Sequence, residues 1–179
     1  MNTHELLIRY EANELDFVEI SLHQASLKGA NLSRINFMRA DLSHADLSLA
    51  DLSGACLNQA NLTDADLSGA NLVGANLIEV NLIGADLSGA DLRGANLCGA
   101  DLRCANLHNA NLSGANLTDV NVNGADLSGA NLSNAKLAGT DLSVADTVGA
   151  ELWAIDCESE ECHLTGMSPH WITWSGNRR

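Results

Sequence analysis

Ala65-Asp66-Leu67-Ser68-Gly69 is followed directly by Ala70-Asn71-Leu72-Val73-Gly74, and this five-residue beat runs without insertion or deletion from Leu15 to Ala154. The run holds 28 units, a tandem repeat long enough to decide the architecture before any other feature is weighed. The central position of a unit is Leu in 24 cases and otherwise Phe17, Phe37, Val122 or Thr147, so one apolar site recurs in nearly every unit. Two residues earlier stands Ala in 22 units, and Asp or Asn fills the place between them in 23. Thirteen of the fifteen glycines fall two residues after the central position, which marks that place as a turn.

A period of five fits neither a helix nor a single strand. On a helix five residues advance about 500°, so the apolar positions would wander over every face. In one long strand an odd period would send successive leucines to opposite sides. The pattern is satisfied when each unit is a short extended edge followed by a corner. Ala and Leu then point inward, Asp or Asn points outward, and the last two residues turn the chain. Glycine at the second corner position suits a type II turn, whose third residue needs positive φ. Asp64, Glu79 and Asp119 in that slot predict a different turn type.

Corners of about 90° close four units into a square coil of twenty residues, and coils stack at a strand spacing of ~4.8 Å. Seven coils give a rod on the order of 34 Å long, filled by leucine and alanine with no room for a ligand inside. Residues twenty apart then form columns on the surface.

The quoted units match the A-(D/N)-L-x-x signature, and the chain resembles the pentapeptide-repeat family over about four-fifths of its length. The resemblance implies an all-β solenoid, the right-handed quadrilateral β-helix of that family, with about seven coils here. It implies little about activity, since most members have no assigned role. A minority of the family imitate duplex DNA in shape and charge and inhibit DNA gyrase; those that protect best often carry loops that interrupt the repeat, and this register has none.

A stacked coil exposes apolar side chains and unpaired backbone at both ends, so each end needs a cap. Residues 1–14 are expected to supply the first as a short capping helix. Asn2 with Glu5 resembles a capping box, and Leu6, Leu7 and Tyr10 share one side, placed to cover Leu15 and Phe17. Residues 15–154 form the β-helix. Residues 155–179 are a decayed repeat leading to Ser168-Pro169, a helix start, then to Trp171 and Trp174. That tail is expected either to cap the rod or to join two chains as a homodimer, and in the gyrase-inhibiting relatives a C-terminal element makes the dimer.

The formal net charge of −14 argues against direct nucleic-acid binding and against an anionic membrane surface. The first fourteen residues lack the basic and apolar regions of a secretory signal, and no apolar run approaches the ~20 residues of a membrane span. Five unevenly spaced cysteines form no disulfide framework, which points to a reducing cytoplasm.

No catalytic constellation, cofactor motif or tight metal pattern is present, and the chain is expected not to be an enzyme. Cys157, Cys162, His163 and His170 match no paired zinc spacing. His23, His44 and His108 stand 21 and 64 residues apart and assemble no triad. Cys56 takes an outward slot usually held by Asp or Asn, while Cys98 and Cys104 sit at corners with no cleft beside them.

Two surface features remain as interaction candidates. One column reads Ser26, Asp46, Asp66, Asp86, Asn106, Asp126, Asp146, flanked mostly by Ser and Gly. Like charges at one strand spacing repel, which raises carboxylate pKa values unless backbone donors hydrogen-bond the groups and lower them. The second is a corner patch of Val73, Ile78 and Ile83, with Cys98 above Ile78. The expected function is a non-enzymatic interaction module with an acidic rod surface. The alternative is a DNA-mimicking inhibitor of gyrase.

Overall fold

The computed structural model describes residues 1–156. Parallel bridges join residues twenty apart on all four sides of the coil: Asn61 with Asn81, Asp66 with Asp86, Asn71 with Asp91, Asn76 with Asn96. Four units therefore make one turn. We number the faces by their leucines, the first carrying Leu77, the second Leu82, the third Leu87 and the fourth Leu92.

One unit shows why the sequence takes this path. Leu67 N–H donates to Asp86 O at 2.7 Å and Gly69 N–H to Ser88 O at 2.9 Å, both in the coil above. Asp66 N–H donates to Ala45 O in the coil below at 2.9 Å, and Ala65 N–H closes the preceding corner on Leu62 O at 3.1 Å. The fifth donor, Ser68 N–H, has no carbonyl to reach and is taken by Asp66 Oδ1 at 2.9 Å. All five backbone donors are thus satisfied, as interior packing demands. Most outward Asp and Asn residues close their corners in this way, and either residue serves because both carry Oδ1; Asn76 is an exception, its buried Oδ1 having no partner.

The second corner residue has positive φ at thirteen glycines and at fourteen other residues. Asp64 (53°), Glu79 (54°) and Asp119 (56°) are among the latter, so the different turn type expected there does not occur. The corners at Asp64 and Glu79 are closed as the glycine corners are, Ala65 N–H reaching Leu62 O at 3.1 Å and Val80 N–H reaching Leu77 O at 3.2 Å, while the corner at Asp119 is closed through a side chain. A flexible side chain pointing into solvent tolerates this conformation at modest strain.

Leu and Ala fill the interior, with Ala85 and Leu87 wholly buried. At the first end, α1 (Thr3–Glu11) starts on Asn2, whose side chain accepts from Glu5 N–H at 2.8 Å. Leu6 is buried under it, Leu7 and Tyr10 pack against the core, and Arg9 lies 5.2 Å over the Phe17 ring while pairing with Glu14. The lid covers Phe17 but leaves Leu15 exposed, contrary to the expectation that both lie beneath it.

One corner departs from the pattern. Leu142–Val144 is a turn of 3₁₀ helix, and no bridge joins Asn121 to Asp141. Thr140 stands in an alanine slot, and its hydroxyl donates to Leu117 O while accepting from Val120 N–H at 2.9 Å. It has inserted itself into the hydrogen bond that closes a regular corner.

Candidate functional site

The carboxylates of the acidic column lie on the third face, bridged Asp46 to Asp66, Asp66 to Asp86 and Asp126 to Asp146, with Asn106 between. Each accepts from the backbone N–H two residues on: Ser48 at 3.1 Å, Ser68 at 2.9 Å, Ser88 and Ser128 at 2.8 Å, Val148 at 3.0 Å. Hydroxyl and then backbone donors of Ser48 and Ser128 hold the Asp46 and Asp126 carboxyls below the usual range. Hydrogen bonding thus outweighs desolvation at these two sites. Asn106 Nδ2 donates down to Asp86 Oδ1 at 3.1 Å, continuing the ladder where its charge is missing.

The other faces treat their acids differently. Arg93 pairs with Asp91 and Arg103 with Asp101, each at 2.7 Å, and Arg39 reaches Glu19 at 2.9 Å. None of Asp46, Asp66, Asp86, Asp126 and Asp146 makes an ion pair among the described residues. The third face therefore carries more carboxylates without an ion pair than any other column, with Lys28 at one of its corners acting on Asp46.

Val73, Ile78 and Ile83 occupy corners of the fourth, first and second faces, each half-buried. Ile78 and Cys98 are stacked, Glu79 N–H reaching Cys98 O at 2.9 Å. Above Val73 and Ile83 the same contacts lead to Arg93 and Arg103, each at 3.0 Å. The apolar residues thus form a belt interrupted by charge, with one vertical pair on the first face.

Two histidines that looked remote come together. His23 and His44 meet edge to face with ring centroids 5.3 Å apart, and His44 Nδ1 is 3.9 Å from Asp64 Oδ2. Ser43 Oγ donates to Asp41 at 2.6 Å, so His23 Nδ1, 2.8 Å from that oxygen, must be the donor to it. A separation of 21 residues is one coil plus one, and that arithmetic was the available signal.

Among the described residues no group of three or more His, Cys, Asp or Glu is arranged to hold a metal ion, and no helix is long and apolar enough to cross a membrane. A groove between α1 and the first coil is lined by Leu7, Tyr10, Glu11, Ser26, Lys28 and Asn31. The tail bearing Cys157, Cys162, His163, His170, Trp171 and Trp174 lies outside the described residues.

A family model described as pentapeptide repeats matches eight copies over residues 16–54, 45–82, 55–94, 81–119 and 110–146. No curated protein matches the chain. Among solved structures it is similar to full-length QnrB1, a plasmid-mediated fluoroquinolone resistance protein. That likeness has a TM-score of 0.61 at 20% identity, covering 79% of this chain and 84% of that one. HetL, a pentapeptide repeat protein involved in heterocyst differentiation regulation from the cyanobacterium Nostoc sp. strain PCC 7120, is 31% identical. It covers 87% of this chain and 94% of its own, with a TM-score of 0.36. A pentapeptide repeat protein from the Arabidopsis thaliana thylakoid lumen is 30% identical over 72% of this chain and 81% of that one, with a TM-score of 0.34.

Proposed function

The chain belongs to the pentapeptide-repeat family, whose fold is the right-handed quadrilateral β-helix, and from that premise we propose that it is a non-enzymatic interaction module working through its third face. Such proteins are generally structural or interaction modules. The observation that carries the reading is the contrast in ion pairing. Arg93 and Arg103 neutralise acids on the fourth and second faces, while none of the third-face carboxylates makes an ion pair among the described residues, Lys28 acting on Asp46 only at longer range. Unpaired charge on a rigid surface steers and orients a basic partner.

The test is a paired capture from native extract with the wild-type chain and the variant Asp46→Asn, Asp66→Asn, Asp86→Asn, Asp126→Asn. Basic proteins held by the wild type and lost by the variant support the face. An identical captured set from both would remove it from the function.

Inhibition of DNA gyrase through DNA mimicry is the second reading. Residues 15–154 hold 16 Asp or Glu against six Lys or Arg, a net charge of −10 that amounts to one charge per roughly 3–4 Å of rod, against about 1.7 Å for the duplex. A supercoiling assay with purified gyrase separates the two. Inhibition by the wild type that the four substitutions abolish favours mimicry, and no inhibition by the wild type retires it.

A further inference from the structure

Leu49 is out of place on this surface. It occupies a corner at φ 60°, where a bulky residue is strained, and its side chain is 64% exposed. The other exposed large apolar residues of the described chain all belong to an end: Met1, Ile8 and Leu15 at the first, Val144, Val148 and Trp153 in the last coil. Leu49 alone stands on the flank of the rod. In its own column the neighbouring corners are Gly29, Gly69 and Gly89, so the face around it is low. Its Cδ2 lies over Gly69, where a Cβ would come within 2.9 Å. Contact with that glycine leaves most of the side chain in water. The strain and the exposure are not returned inside the chain, and strain kept without internal benefit points to use elsewhere.

The surroundings identify what fits. Leu49 sits on the third face beside Asp46, Asp66 and Asp86, whose carboxylates carry no ion pair, Lys28 in the coil below acting on Asp46 only at longer range. We propose that Leu49 anchors a docking surface for a cationic amphipathic α-helix of a protein partner, laid along the third face. A helix repeats every ~5.4 Å and the coils every ~4.8 Å, so one Lys or Arg per helical turn keeps pace with the carboxylate ladder over three or four coils. The mismatch accumulates to about 2 Å, within the reach of long basic side chains. The glycine corners let a helix approach closely, and Leu49 offers its apolar stripe one fixed contact. Nucleic acid and anionic lipid carry the wrong sign for this face. The inference rests on the third face being the working surface and names its partner's chemistry.

The test uses the full chain, its Leu49→Gly variant and a fluorescein-labelled 18-residue helical peptide with arginine at one-turn intervals and one central leucine. Leu49→Gly should raise the melting temperature by roughly 2–4 °C, because glycine removes both strain and exposure. It should also weaken binding of the peptide at least tenfold, and replacing the peptide's leucine by alanine should cost the same factor. A lowered melting temperature would make Leu49 a structural residue and overturn the proposal, as would peptide binding within twofold of wild type. Binding lost only in the variant with four Asp→Asn substitutions would leave the face standing and remove its anchor. A wild-type chain that does not bind the peptide overturns the inference, while the extract comparison still decides about the face.

Discussion

Asp66 and Asp86 are bridge partners on adjacent coils, and each carboxylate accepts the N–H of its own corner serine, Ser68 at 2.9 Å and Ser88 at 2.8 Å. The column is thus a set of corner closures that also carries charge. Replacing Asp by Asn keeps the closure, and replacing it by Ala removes it. At pH 7, Asp46→Asn should change stability by less than ~0.5 kcal/mol and Asp46→Ala should cost ~1 kcal/mol. Urea unfolding measures both. Stabilisation by Asp46→Asn at low salt would show that repulsion along the ladder outweighs the hydrogen bonds.

The same geometry fixes a pH dependence. Asp46 and Asp126 have lowered carboxyl pKa values, set first by the hydroxyls of Ser48 and Ser128 and then by their backbone donors. A carboxyl lowered in the folded state contributes stability above its unfolded pKa and loses it as pH falls through the folded value. The contribution should be present at neutral pH and disappear below about pH 4. Urea midpoints at pH 7 and pH 3 should therefore differ less for the Asp46→Asn, Asp126→Asn double variant than for wild type. Equal differences would mean these two groups do not link stability to pH.

Leu87 is wholly buried, whereas Ser88 is half-buried and its hydroxyl is not needed to close the corner. Leu87→Ala should cost ~2–5 kcal/mol, because leucines stacked above and below cannot move into the space. Ser88→Ala should be nearly silent in the same denaturation series. A Leu87→Ala cost under ~0.5 kcal/mol would contradict the stacked core.

The coil was legible in the sequence because two inward positions per five residues leave few geometries, and a twenty-residue turn follows from square corners. Columns such as Asp46, Asp66, Asp86 are then arithmetic. What the sequence hid lies in the backbone's own bonding. Asp and Asn looked like solvating residues until Ser68 N–H was seen to need Asp66 Oδ1. Glu79 looked like a change of turn because glycine is the usual left-handed residue, yet its exposed side chain accepts that conformation. His23 and His44 looked distant because their separation was measured along the chain and not around the coil. Leu49 was overlooked because the third-face corners were read as serine and glycine.

Corner glycines should differ in how well they accept a side chain. At Gly89 a Cβ meets nothing within 4 Å, so Gly89→Ala carries only the strain of φ 64°, about 1–2 kcal/mol. At Gly139 the Cβ would fall 2.0 Å from Asp119 Oδ1, and Gly139→Ala must also displace that carboxylate. Gly139→Ala should be the more destabilising of the two, and Asp119→Gly in the same chain should remove the excess. Equal costs would mean that Asp119 rotates away freely.

Thr140 offers the sharpest separation of side-chain chemistry from shape. Its hydroxyl stands between Leu117 O and Val120 N–H, which in a regular corner bond each other directly, as Leu77 O and Val80 N–H do at 3.2 Å. Thr140→Val keeps the bulk and removes both hydrogen bonds, leaving a buried donor and acceptor unpaired, at a cost of ~1–3 kcal/mol. Thr140→Ala installs the residue found at this position in 22 of the 28 units and lets the corner close directly. It should therefore cost less than Thr140→Val, although it deletes more atoms. Amide exchange at Val120 should follow the same order, slow in wild type and Thr140→Ala and fast in Thr140→Val. A larger loss for alanine than for valine would show that Thr140 fills space, and that its hydroxyl does not hold the last coil to the one before it.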